Sequence, residues 1–241
     1  MPWDSDHFGI QVGRLVNEQS DFEVFDALKD AKKDGYQLIY LAASQRHALP
    51  LAAARNELQS FHIVDQVHWS KNGIKRQSCV KLPDGYEISK YADRVPDSEL
   101  FALAKQAGHS SRFRLDSHFG EMAFEQLYRT WIERSCSGDF ADVVHVVRDG
   151  HQKAVALITL GQDHRRCSIG LIAVSQEHRR RGLANALLES AQNWAFSQHC
   201  ETLSVVTQSS NETAMKLYDR FGFEINETVS IYHFWLDEIE F

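Results

Sequence analysis

Between Leu171 and Leu188 the chain passes from an apolar stretch, Leu171-Ile172-Ala173-Val174, through Ser175-Gln176-Glu177-His178 into Arg179-Arg180-Arg181-Gly182, and then into apolar residues at helical spacing. Few local structures accept that order. A short apolar run bounded by polar residues reads as a buried strand, and Leu183, Ala186 and Leu187 fall on one face of a helix that continues to about Ser197. A strand that enters a helix through a short basic turn leaves the first helical amides unpaired. They point outward, and the helix dipole adds to their attraction for an anion. Gly182 and Ala184 carry little bulk, so a phosphate can approach the backbone there.

The surrounding pattern fixes the fold class. Val143–Val147 and Ala154–Leu160 read as strands joined at Asp149-Gly150, a strong hairpin signal, and Ser168–Val174 as a third. Upstream lie a strand at Tyr86–Tyr91 and a helix opened by Pro96-Asp97-Ser98, with Leu100, Phe101, Leu103, Ala104 and Ala107 on its apolar face up to Gly108. A polar, aromatic loop from His109 to Asp116 precedes a helix carrying Phe124, Leu127, Tyr128, Trp131 and Ile132. Downstream come a strand at Leu203–Thr207, a short helix at Ala214–Phe221 and two closing strands, Phe223–Val229 and Ile231–Leu236. The order β-αα-βββ-α-β-α-β is a mixed α/β layer rather than a doubly wound sheet.

Ahead of it, Ile10, Val12 and Leu15 alternate as in a strand. A helix over Phe22–Lys33 stops at Gly35, and Leu38–Ala42 is a buried strand. A helix around Leu49–Ser60 leads to a strand at His62–Trp69, and Asn72-Gly73 turns the chain. Pro83-Asp84-Gly85 marks the expected boundary between a small N-terminal α/β unit, residues 1–84, and a domain over 85–241.

Composition narrows the ligands. The net charge of −7 disfavours non-specific binding to nucleic acid or anionic membrane, so a local basic cluster must meet any anionic ligand. Cys79, Cys136, Cys167 and Cys200 form no Cys-x-x-Cys pair, which argues against a zinc site and against a disulfide framework; no metal is expected. The N-terminus lacks a signal-peptide pattern, and no apolar run approaches the roughly 18 residues of a membrane span. A cytoplasmic protein with reduced thiols is expected, with no nucleic-acid partner and no membrane span. The sequence admits a homodimer.

Arg179-x-x-Gly182-x-Ala184 resembles the acetyl-CoA motif of the GNAT (Gcn5-related N-acetyltransferase) superfamily, Arg/Gln-x-x-Gly-x-Gly/Ala. Asn211-x6-Tyr218 followed by Gly222-Phe223 resembles that superfamily's downstream pattern. The resemblance covers about residues 86–236 and implies a central mixed, mostly antiparallel sheet flanked by helices, with acetyl-CoA as co-substrate. It implies that the backbone of Ile172, Ala173 and Val174 pairs with the pantetheine arm as an added strand. The amides of Arg180, Arg181, Gly182, Leu183, Ala184 and Asn185 would hold the pyrophosphate, with Arg179 and its two neighbours supplying charge. Asn211 would bond the pantetheine, and Lys216 would reach a CoA phosphate. Tyr218 would protonate the departing thiolate, and the Val174 N–H would meet the oxyanion. Read from spacing alone, Tyr218 is a core aromatic on a short helix. One departure stands out: where some members carry a glutamate that deprotonates the amine, this chain has Val206. His109, His118 and His145 are candidates for the missing base, and nothing in the sequence singles one out.

Trp3-Asp4-Ser5-x-x-Phe8-Gly9, Ser111-Arg112-Phe113-Arg114 and Asn193-Trp194-Ala195 resemble bacterial acetyltransferases of TDP-linked 4-amino-4,6-dideoxy sugars, which serve surface-polysaccharide synthesis. This resemblance implies a nucleotide-sugar acceptor. Arg112 and Arg114 would donate to its diphosphate, and Phe113 or Phe119 would stack on its base. Other small amines, a protein N-terminus or lysine, and a non-catalytic CoA-binding module remain as alternatives. The last would be expected to have lost Asn211 or Tyr218.

Overall fold

A computed structural model describes residues 1–15, 21–44, 61–76 and 80–240. Its strands are β1 (Val12–Leu15), β2 (Leu38–Ser44), β3 (His62–Asn72), β4 (Glu87–Lys90), β5 (Val143–Arg148), β6 (Ala154–Asp163), β7 (Arg166–Val174), β8 (Thr202–Gln208) and β9 (Glu224–Trp235). Its helices are α1 (Pro2–Phe8), α2 (Asp21–Lys33), α3 (Ser98–Ala107), α4 (Arg112–Leu115), α5 (Gly120–Ser137), α6 (Leu183–Ser197) and α7 (Glu212–Phe221). The hydrogen-bonded strand order is β1-β2-β9-β3-β8-β7-β6-β5-β4. β1–β2 and β7–β8 pair parallel, whereas β2–β9, β4–β5, β5–β6 and β6–β7 pair antiparallel. The expected mixed, mostly antiparallel sheet flanked by helices is what forms.

By contacts the chain divides into Met1–Val67 with Gln208–Ser210 and Glu227–Phe241, and His68–Thr207 with Asn211–Asn226. β3 and β9 each have residues in both units. In the first, β2 pairs with the end of β9 from Leu38↔Trp235 to Ser44↔Val229. Val24 and Leu28 of α2 pack on Ile39, Leu41, Phe234 and Leu236. The helix α1 was not anticipated. Pro2 suits its first turn, and Gly9 closes it in the left-handed conformation (φ 67°). The helix expected at 49–60 lies outside the described residues.

The second unit begins its helical layer at α3, whose N-cap Asp97 accepts the Leu100 N–H at 2.9 Å. The β5–β6 turn is held by the Asp149 carboxylate, which accepts the N–H groups of His151 and Lys153. β6 is buried from Ala154 through Leu160 without alternation, as a strand covered on both faces must be; α3 and α6 both pack on it. Pro83-Asp84-Gly85 is a turn inside this unit, with Gly85 at φ 83°. Two expectations are corrected. The loop over 109–116 contains a helical turn, α4, and the two closing strands are one, β9. No turn residue interrupts Val229-Ser230-Ile231, and the Ser230 hydroxyl donates to Asp65 at 2.6 Å, so the chain stays extended there.

Candidate functional site

The site grows from an early end to a parallel ladder. β7 and β8 pair from Arg166↔Thr202 to Ile169↔Val205 only, although β7 continues to Val174 and β8 to Gln208. Over its last residues β7 therefore keeps a partner on the β6 side alone. There the ladder slips around Thr159, whose hydroxyl accepts the Leu171 N–H at 2.8 Å. Beyond the slip, Ser175 N–H donates to Val155 O at 2.8 Å, which makes 155 and 175 a hydrogen-bonded pair. Antiparallel pairs alternate, so Leu157↔Ala173 is bonded as well, whereas Ile158↔Ile172 and Ala156↔Val174 turn their amides away from β6. Ile172 and Val174 thus present backbone to the opening, while the Ala173 backbone is spent on β6. That refines the expectation that all three pair with a ligand. The Val174 carbonyl accepts the Gln106 side-chain amide from α3 and Arg179 Nε at 3.3 Å.

The opening leads into the basic turn. His178 Nδ1 meets Ser175 Oγ at 2.8 Å, and its Nε2 lies 3.9 Å from Asp149 Oδ2, which ties the turn to the β5–β6 hairpin. Arg180 (φ 60°) and Gly182 (φ 80°) are both left-handed, a geometry that gathers successive N–H groups on one concave side. A non-glycine residue rarely adopts this conformation, and its cost is of the kind found at ligand clamps. The first amide of α6 with a backbone partner is Ala186, bonded to Gly182 O at 3.1 Å. Among the described residues no acceptor meets the N–H of Arg180, Arg181, Gly182, Leu183, Ala184 or Asn185. Arg181 reaches the Tyr86 hydroxyl at 3.0 Å, and the exposed Arg180 side chain has no partner among the described residues. Partnerless donors at a helix start fit a diphosphate.

Tyr218 is the one buried side chain of α7, 2% exposed, with its ring against Trp69 (6.2 Å between centroids) and Phe223 (5.6 Å). Burial pushes its phenol well above the usual value, so it stays protonated at neutral pH. Beside it the Trp69 indole N–H is buried without a partner, a donor that sequence reasoning missed. Asn211 is the N-cap of α7: its carbonyl oxygen accepts the Ala214 N–H at 3.3 Å. Lys216 is exposed and bonded to Glu212 at 2.9 Å, two residues from Tyr218 and so on another side of the helix.

The acceptor-side residues are less open than expected. Phe113 and Phe119 are both buried and pack edge to face at 5.4 Å, leaving little of either ring for a base. Arg112 lies over the Phe113 ring at 4.5 Å, and Arg114 is bonded to Glu121. Of the three histidines, His109 is exposed. The His118 Nδ1 meets the buried Asp116 carboxylate at 2.6 Å. His145 is turned to Ser190 of α6 at 2.7 Å, and burial lowers its pKa to about 4. A surface groove lined by Phe101, Lys105, Met122, Glu125 and Arg129 lies between α3 and α5 and includes none of the residues above. No cluster of three or more His, Cys, Asp or Glu with metal-binding geometry occurs among the described residues.

Residues 109–223 match the acetyltransferase (GNAT) family. The chain carries a GNAT domain. It is 30% identical over 137 residues to a dTDP-fucosamine acetyltransferase of Escherichia coli O6:H1, a match covering 57% of each chain. It is 25% identical over 156 residues to the spore coat polysaccharide biosynthesis protein SpsD of Bacillus subtilis, covering 64% of this chain and 53% of the relative. The chain thus spans little more than half the length of these curated relatives. Its fold is shared by a GCN5-related N-acetyltransferase from Sphaerobacter thermophilus, with a TM-score of 0.56 at 14% identity over 89% of this chain and 66% of that one. In the GNAT domain, the stretch from β7 through α6 to α7 carries the features described above. No helix among the described residues is long and apolar enough to cross a membrane.

Proposed function

We propose that this chain is an acetyl-CoA-dependent N-acetyltransferase whose acceptor is the 4-amino group of a TDP-linked 4-amino-4,6-dideoxy sugar. The observation that carries the reading is the open edge of β7, which runs directly into the partnerless amides from Arg180 to Asn185. An extended amide-bearing arm ending in a diphosphate matches that surface along its length, and acetyl-CoA is such a molecule. The pantetheine would bond the Ile172 backbone and bring the thioester to Val174, whose N–H faces the opening. The amine nitrogen attacks the thioester carbonyl, the Val174 N–H meets the oxyanion, and Tyr218 protonates the thiolate as the C–S bond breaks. Asn211, with its carbonyl already used as a cap, has its NH2 to offer the pantetheine.

The acceptor reading draws on the relatives named for dTDP-fucosamine acetylation and for spore coat polysaccharide biosynthesis, and on Arg112 and Arg114 in a net acidic chain. A role in surface-polysaccharide synthesis in the cytoplasm goes with it. The test is thiol release from acetyl-CoA against a panel of TDP- and UDP-linked amino sugars, simple amines and peptides. Turnover confined to peptides refutes the acceptor class. Arg112→Ala and Arg114→Ala should raise KM for the sugar and leave acetyl-CoA affinity nearly unchanged; the reverse pattern refutes the placement of the diphosphate.

A further inference from the structure

We propose that His68 is the base that takes the proton from the acceptor amine, an assignment that rests on the acetyl-transfer reading above. β3 lies beside β8 in the sheet. Two contacts fix their register: Thr202 Oγ1 donates to Asn72 Oδ1 at 3.2 Å, and Ser209 N–H donates to Asp65 O at 2.8 Å. Both place the strands antiparallel with the same offset, so His68 faces Val206 and Trp69 faces Val205. Burial agrees: Val67 and Trp69 are buried, as are Val205 and Thr207, whereas His68 and Val206 are not. Since 65 and 209 form a bonded pair, 68 and 206 fall at a non-bonded one, where side chains stand closest, about 4.5–5.5 Å apart at Cβ.

The face matters as much as the pairing. Trp69 contacts Tyr218, so the Trp69–Val205 side of the sheet belongs to α7, and His68 and Val206 stand on the opposite side. Val206, 46% exposed, borders the opening where β8 has left β7. A thioester lying in that opening has the Tyr218 phenol toward one face of the sheet and the His68 imidazole toward the other. Acid and base then flank the carbonyl from the two directions that departure of the thiolate and approach of the amine require. His68 has no hydrogen-bond partner among the described residues. By strand alternation its neighbours on that face are Gln66 and Ser70 of β3 and Ser204, Val206 and Gln208 of β8, with Asn226 bonded to Ser70 at 2.9 Å. Of the charged side chains, Lys71 lies on the Trp69 face of β3 and donates to Phe221 O, and Lys105 on α3 pairs with Glu121 and Glu125.

The step balances. The neutral imidazole accepts one proton from the ammonium and releases it to solvent. The free amine forms the N–C bond as the C–S bond breaks, and the thiolate takes the Tyr218 proton. The surplus proton on the new amide nitrogen leaves to solvent by way of the imidazole, and a proton from solvent restores the phenol.

The test is His68→Gln, assayed by thiol release between pH 6 and 9 with the best acceptor from the panel, alongside the thermal shift given by acetyl-CoA. Expected are a fall in kcat/KM for the acceptor of about 10²–10³-fold near pH 7, a deficit that narrows as pH rises and free amine accumulates, and an unchanged acetyl-CoA shift. His68→Gln combined with Val206→Glu should recover part of the loss. Should His68→Gln fail to fold, Val206→Lys probes the same place, because a cation beside the imidazole moves the acidic limb of the kcat/KM profile down by about one pH unit. Full activity of His68→Gln, or an acidic limb unmoved by Val206→Lys, overturns the assignment and leaves acetyl transfer standing. A wild-type protein that turns over no amine refutes acetyl transfer, and the assignment falls with it.

Discussion

Gly170 stands where β7 loses its β8 partner, and the structure leaves it no room for a side chain. A Cβ built there would lie 2.8 Å from Thr159 Oγ1, closer than such contacts occur. Thr159 is itself buried, and its hydroxyl holds the Leu171 N–H at 2.8 Å. In Gly170→Ala the threonine must rotate or the strands must part, and either movement breaks that hydrogen bond inside the sheet. Leaving a buried amide unsatisfied costs about 1–3 kcal/mol. Taking about 2 kcal/mol for a unit of this size, the melting temperature should fall by about 4–8 °C. Thr159→Ala alone loses the same bond, so the double variant should cost clearly less than the sum of the two single changes. Differential scanning calorimetry on the four proteins reads both quantities. A Gly170→Ala protein melting within about a degree of wild type, or strictly additive losses, would refute the crowding argument.

Tyr218→Phe keeps the ring against Trp69 and Phe223 and deletes the proton donor, so kcat should drop by about 10²–10⁴-fold with acetyl-CoA affinity intact; full turnover in a folded variant would show that Tyr218 only packs. Gly182→Val forces a branched residue into φ 80° beside the partnerless amides. It should remove most of the thermal stabilisation that acetyl-CoA gives the wild type, which at a hundredfold excess over Kd is about 2.7 kcal/mol. His145 is held neutral by burial, with Lys90 adding to the effect. Its pKa falls from 6.5 to about 4, so its contribution to stability is complete above pH 6.5 and is lost toward pH 4, by at most about 3 kcal/mol. Urea denaturation at pH 7.5 and 4.5 should show a smaller acid loss for His145→Gln than for wild type; equal losses would mean that His145 does not titrate as described.

Much of the second unit was legible because its signals are local. The run from Ala154 to Leu160, the Asp149-Gly150 turn, the Asp97 cap and the span of α6 from Leu183 to Ser197 each depend on residues close together in the chain. The candidate site was legible to the same extent: the basic turn could be placed before a helix, and its amides could be expected to lack partners. What could not be read depends on neighbours far away in sequence. That β7 turns only alternate amides to the opening follows from its register with β6. That Gln106 reaches the Val174 carbonyl, and that Phe113 is packed against Phe119, follows from how helices settle on the sheet. The single strand β9 was read as two because alternation says where a strand runs but not which partners it changes on the way. His68 is unmarked in the sequence for the same reason, since nothing at positions 66–70 announces that Val206 lies across from it.

The pairing of β2 with β9 also sets an order in time. β2 spans Leu38–Ser44 and its partner residues are Val229–Trp235, so roughly two hundred residues of chain separate the two halves of one ladder. On a ribosome adding about 5–20 residues per second, β2 waits some 10–40 seconds for the strand that covers its edge. During that interval a run with the sequence Leu-Ile-Tyr-Leu-Ala-Ala-Ser has open hydrogen-bonding groups and an apolar face, the combination that invites pairing with another chain. The two halves of this ladder are thus made far apart in time, and β2 is most exposed to aggregation until β9 has been synthesised.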